Sequence, residues 1–114
     1  TGRADDMLII RGINVYPREI ETVLMDDPDV GANYAIVVDR RGAMAELRVR
    51  AEATSDATAG GRLDIGAERL AKVLADRLRI RTAVELVADG SMPRTEVGKV
   101  KRVFEQVGDI DPLG

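Results

Sequence analysis

Between Tyr34 and Glu52 the chain changes from one strand pattern to another, and that change limits the possible folds more than any other stretch. Tyr34-Ala35-Ile36-Val37-Val38 is an unbroken apolar run rich in β-branched residues, the pattern of a strand covered on both faces. After Arg40-Arg41-Gly42 the order alternates strictly, with Ala45, Leu47, Val49 and Ala51 set against Glu46, Arg48, Arg50 and Glu52. A period of two places these sets on opposite faces of a sheet. The two segments therefore read as a hairpin with one face on a core and one in water.

The remaining elements must supply the cover for that face. Met7-Leu8-Ile9-Ile10 has the apolar character of a first strand, and Gly12 allows a bend before Val15 and Tyr16. Pro17 suits the first position of a helix, Glu19 and Glu21 favour its positive end, and Ile20, Val23 and Leu24 share one face. Pro28 ends this helix near Asp27. A second helix is expected from Asp64 as N-cap, with Ala67, Leu70, Ala71, Leu74, Ala75 and Leu78 in one stripe. Val84–Val87 reads as a last strand. Residues 54–62 show no apolar periodicity and read as a mobile surface loop, and the tail from Gly108 to Gly114 as a frayed end. The order β-α-β-β-α-β, followed by a short lysine-bearing segment, predicts an α+β two-layer sandwich with helices on one face of a largely antiparallel sheet.

Composition narrows the chemistry. A chain of 114 residues supports one domain. It contains neither Cys nor His, which excludes disulfides and thiolate zinc sites and removes the usual metal ligand and general base. No metal site is expected in it, and any catalysis rests on Lys, Arg, Asp, Glu or hydroxyls. A net charge of −3 and only three aromatic residues, Tyr16, Tyr34 and Phe104, argue against nucleic acid as a partner. No apolar run is long enough to span a membrane and the first residues are too polar for a signal peptide, so no membrane association and a cytoplasmic location are expected. The chain opens at Thr1-Gly2-Arg3 without Met, directly into a dense motif, and reads as a fragment of a longer chain or one cut at a tag boundary.

Two segments carry more polar detail than packing needs. The first runs from Gly2 to Glu21 and sets Arg3, Asp5 and Asp6 beside a flexible glycine, an arrangement suited to a phosphate, a ribose or a hinge. The second, Met92 to Arg102, places Lys99 next to Gly98, so that a bulky anion can approach the backbone closely. Positive charge gathers here, with Arg94, Lys99, Lys101 and Arg102 against Glu96 between residues 91 and 104. Each segment alone is also compatible with a solvated surface loop.

In this order and about 80 residues apart, the two resemble the hinge motif and the terminal lysine motif of the C-terminal domain of the adenylate-forming superfamily of acyl-CoA synthetases, adenylation domains and luciferase-like enzymes. The quoted residues are Gly2-Arg3-x-Asp5-Asp6-Met7 through Gly12-x-Asn14-Val15-x-Pro17-x-x-Ile20-Glu21, and Pro93-Arg94-Thr95-x-x-Gly98-Lys99. The version Arg11-Gly12-x-Asn14-Val15-Tyr16-Pro17 is most similar to phenylacetate-CoA ligases.

The resemblance implies that residues 1–114 form the mobile C-terminal lid of an ATP-dependent ligase. Such an enzyme activates an aryl carboxylic acid as acyl-AMP and transfers it to CoA, with ATP, Mg2+ and CoA used by the full-length enzyme and none of them held by the lid alone. It further implies that Lys99 reaches the substrate carboxylate and α-phosphate, that Arg3 contacts the nucleotide and that Asp5 is the hinge. Gly12 would line the pantetheine tunnel, and Arg11, Lys101 and Arg102 would meet CoA phosphates. Arg94 stands where lysine is commoner in the family. The N-terminal domain of the same enzyme is the implied partner, and the isolated lid is expected to be inactive. Two alternatives remain open: an adenylation domain loading a carrier-protein phosphopantetheine, and a non-catalytic α+β regulatory or interaction module.

Overall fold

The helix expected after Pro17 forms over Pro17–Asp26 (α1) in the computed structural model, which describes residues 7–91 and 103–106. Pro17 occupies the start, Glu19 lies in the first turn, and Ile20, Val23 and Leu24 are the buried side chains. The chain then enters Val30–Asp39 (β3) and returns antiparallel as Glu46–Ala53 (β4), with Ile36 opposite Val49 and Val38 opposite Leu47. The hairpin is longer than its apolar run because Val30–Asn33 continue the strand through a bulge before Tyr34.

Three elements differ from the sequence expectation. The first strand is two: Leu8–Ile10 (β1) and Ile13–Val15 (β2) pair antiparallel as a small separate hairpin. Residues 54–62 are not an open loop. Ser55–Ala59 forms a short helix (α2) whose N-cap Thr54 accepts a hydrogen bond from the Ala57 backbone N–H, and Ala57 is fully buried. The long helix, Leu63–Leu78 (α3), starts ahead of Asp64, with Arg62 at the cap position and Asp64 inside the first turn.

The main sheet is also mixed rather than largely antiparallel. Thr82–Val87 (β5) runs parallel to β4, and Val103–Gln106 (β6) runs parallel to β3, giving the order β5-β4-β3-β6. Parallel neighbours cannot be joined by a tight turn and lie far apart in sequence, so local alternation does not reveal them. The α+β two-layer architecture stands: Leu70, Leu74 and Leu78 of α3, the buried face of α1 and Ala57 pack with Ile36, Val38, Leu47, Val49 and Ala51 from one face of the sheet. Gly66 lets α3 approach closely, since a Cβ there would lie 2.7 Å from Leu86 Cδ2.

The inner side of the small hairpin, Leu8, Ile10, Ile13 and Val15, joins the same core. Its outer side presents Met7, Ile9, Asn14 and Tyr16 to solvent. On the opposite face of the main sheet the expected wet surface is only partly wet, because Ala35, Val37, Asp39 and Glu52 are buried there. Asn33 donates to Glu52 at 3.3 Å, so that carboxylate keeps a polar partner.

Candidate functional site

The described part of the expected site is the tip of the β1-β2 hairpin. Ile10 pairs directly with Ile13, leaving Arg11 and Gly12 as a two-residue turn in which both have positive φ, 53° and 76°. Turns of this type match the right-handed twist of a hairpin and favour Asn, Asp or Gly at both positions. Glycine at position 12 meets that demand without steric cost. A Cβ at Gly12 would meet nothing within 4 Å, so the backbone conformation, and not crowding by described residues, accounts for glycine inside the domain.

Arg11 bridges from this tip to a second loop. Its Nε donates to the Ala45 carbonyl at 2.9 Å, across 34 residues of sequence. Ala45 ends the connection between β3 and β4, and that connection is shaped by Asp39. The buried Asp39 carboxylate accepts from the Arg41 backbone N–H at 3.1 Å, from Arg41 Nε at 2.9 Å and from Arg41 Nη2 at 2.6 Å. Arg48 Nε stands 4.0 Å from the same carboxylate. Bonding to Arg41, first through the guanidinium and then through its backbone N–H, holds the Asp39 carboxyl at a pKa of about 2 against an ordinary 3.8. Sequence reasoning missed this clasp, although Asp followed two residues later by a bonded N–H is a recognisable turn pattern.

The direction of that shift gives a test. A carboxylate whose pKa is lowered by folding stabilises the fold above 3.8, and the contribution is lost as pH falls from there towards about 2. Asp39→Asn should lower stability at neutral pH and flatten the pH dependence of the urea midpoint across that window. Parallel midpoint curves for wild type and variant would remove Asp39 from the account.

A second polar cluster ties α1 to α3. Arg69 donates to both oxygens of Asp27 at 2.9 Å and to Asp29 at 3.2 Å, while Arg62 donates to Asp29 at 3.2 and 3.3 Å. Bonding to Arg62 lowers the Asp29 pKa, and Asp29 and Asp27 raise those of Arg62 and Arg69 respectively. Its geometry is a brace between the end of α1 and α3.

Of the residues singled out in the sequence, Arg11 and Gly12 stand together at the exposed hairpin tip. Arg3, Asp5, Lys99, Lys101 and Arg102 lie outside the described residues, as do Asp6 and Arg94. The strand immediately following Lys101-Arg102 is β6, whose Val103 pairs with Ile36. Among the described residues no three acidic side chains gather to hold a metal. No helix among them is long and apolar enough to cross a membrane.

Residues 12–106 match the AMP-binding enzyme C-terminal domain family. The chain belongs to that family. Among its curated relatives are the phenylacetate-coenzyme A ligases of Thermus thermophilus, 42% identical over 91% of this chain, and of Escherichia coli K12, 36% identical over 92%. The chain spans about a quarter of these relatives, 26% and 24% of their lengths. A solved domain of phenylacetate-coenzyme A ligase from Bacteroides vulgatus superposes with a TM-score of 0.78 at 29% identity, covering 96% of this chain and all of that one. A 2-hydroxyisobutyryl-CoA ligase, captured with its acyl-AMP and CoA in the thioesterification state, gives a TM-score of 0.80 at 36% identity over 92% of this chain and 22% of its own. The chain is thus a C-terminal domain of the adenylate-forming type, similar to that of phenylacetate-CoA ligases.

Proposed function

We propose that residues 1–114 act as the mobile lid of an ATP-dependent acyl-CoA ligase whose acid is phenylacetate or a related aryl acid. The observation that carries this reading is family membership across the described fold together with an exposed glycine turn at the hairpin tip, within the hinge motif. The acid is activated when its carboxylate attacks the α-phosphorus of ATP and pyrophosphate leaves. A thiol then attacks the acyl carbon and AMP leaves. The two steps need different groups at one place, which a rotating lid supplies in turn.

In this scheme Lys99 serves the first step, placing a compact ammonium beside the carboxylate and α-phosphate, and Arg3 contacts the nucleotide. Rotation about Asp5 replaces Lys99 with the Arg11-Gly12 turn for the second, where Lys101 and Arg102 offer charge to CoA phosphates. The N-terminal domain of the same enzyme supplies the acyl pocket, Mg2+ accompanies ATP there, and the enzyme works in the cytoplasm. The alternative acceptor is the phosphopantetheine of a carrier protein.

The test is acid-dependent ATP–pyrophosphate exchange by the full-length parent with aryl and aliphatic acids, followed by acceptor assays with CoA and with a phosphopantetheinylated carrier protein. Exchange with aryl acids and release of an acyl-CoA are expected. Acyl transfer to the carrier alone would change the acceptor, and exchange with no acid would leave an α+β binding module.

A further inference from the structure

Arg11 is in a backbone conformation that its residue type disfavours. Among the described residues only two that are not glycine have positive φ, Arg11 and Arg79. Arg79 caps the C-terminus of α3, a common place for a left-handed residue, and its N–H bonds the Ala75 carbonyl. Arg11 instead occupies a hairpin turn where Asn, Asp or Gly would fit without strain. A disfavoured residue held at a functional loop points to a task for its side chain. Among the described residues that side chain bonds the Ala45 carbonyl, and it does so through Nε, the guanidinium nitrogen nearest the backbone.

We infer that Arg11 is a positioning residue for thioester formation: by bonding the Ala45 carbonyl it fastens the Gly12 turn to the β3-β4 connection and so sets where that turn stands when the lid closes on the acceptor thiol. The anchor is itself fixed. Asp39, buried at the end of β3, holds Arg41 through three hydrogen bonds, and the connection so clasped ends at Ala45. Ala45 directly precedes Glu46, which pairs with Asp39, so the line from the sheet to the turn is Asp39, Glu46, Ala45, Arg11, Gly12. A two-stranded hairpin of three residues per strand has little rigidity of its own. A bond to a loop rooted in the four-stranded sheet limits its swing. This role differs from direct contact between Arg11 and CoA phosphate, because it does not depend on the charge of the acceptor.

The inference rests on the ligase reading, and the test separates the two. In the full-length parent, Arg11→Asn makes an Asn-Gly turn, which favours the same hairpin while deleting the tether. Arg11→Lys keeps the charge without the guanidinium Nε. With acyl-adenylate formed in advance, both variants should lose about tenfold or more in kcat/KM for thioester formation, and by the same factor with CoA and with pantetheine, which has no phosphate. The rate of acyl-adenylate formation should stay within about twofold of wild type, which general damage to the fold would not allow. A loss with CoA that disappears with pantetheine, full activity in Arg11→Lys, or an equal fall in both half-reactions would overturn the positioning role. A wild-type parent that forms thioester with neither acceptor would remove the ligase reading and this inference with it.

Discussion

Lys99→Ala in the full-length parent is expected to slow acyl-adenylate formation by about 100- to 1,000-fold, the range lost when one preorganised charge-stabilising donor is deleted from an active site. With no His and no Cys, the residues able to act on a phosphoryl group are cations and carboxylates, and the terminal motif isolates Lys99 beside Gly98. Attack of a carboxylate on the α-phosphorus brings two anions together, so a positive point charge at the meeting place stabilises the transition state more than the separated reactants. Lys99→Arg should restore only part of the rate, because a planar guanidinium cannot occupy the space of a compact ammonium. Thioester formation from supplied acyl-adenylate should survive Lys99→Ala if the lid's rotation carries the lysine out of the site. Single-turnover measurements of both half-reactions decide this, and equal losses in the two would end the division of labour.

The parts of the domain that the sequence makes legible are those whose signals are local. Pro17, Glu19 and the Ile20-Val23-Leu24 spacing define α1 to within a residue, because a helix start and its buried face are written into one stretch of about ten residues. The β3-β4 hairpin is legible for the same reason. The β1-β2 hairpin is not, because three-residue strands give too few positions to show alternation and Arg-Gly is not the usual signal for its turn. In α2, five residues cannot show a helical period, and only the Thr54 cap marked its start. The mixed sheet escaped because parallel partners are chosen by distant packing: nothing near Val103 announces a pairing with Ile36.

The candidate site divides along the same line. Gly12 is legible as a turn glycine and as part of a motif, while the Arg11–Ala45 bond joins residues 34 apart and leaves no trace in either neighbourhood. Ion pairs such as Arg69 with Asp27 and Arg62 with Asp29 are hidden likewise, since any of the 17 cations could have met any of the 20 carboxylates until the elements were placed. Burial of Asp39 and Glu52 on the supposedly wet face also depends on how the strands assemble.

Gly12 itself carries two explanations that a single substitution separates. The turn needs a residue at φ 76°, and an added Cβ meets nothing among the described residues, so the domain alone asks only for left-handed backbone. Asn adopts that backbone more readily than other residues with a side chain. Gly12→Asn should therefore leave the fold nearly intact, with a stability loss below about 1 kcal/mol. If the turn lines the path of the pantetheine thiol, the same variant should lower thioester formation in the full-length parent by about 100-fold, because a displacement of about 1 Å at a reacting group costs that much. Acyl-adenylate formation should change little. Thermal unfolding together with the two half-reaction rates reads both effects from one protein. Retained thioester formation in Gly12→Asn would confine the glycine to its turn, whereas a selective loss at unchanged stability places it on the thiol's path.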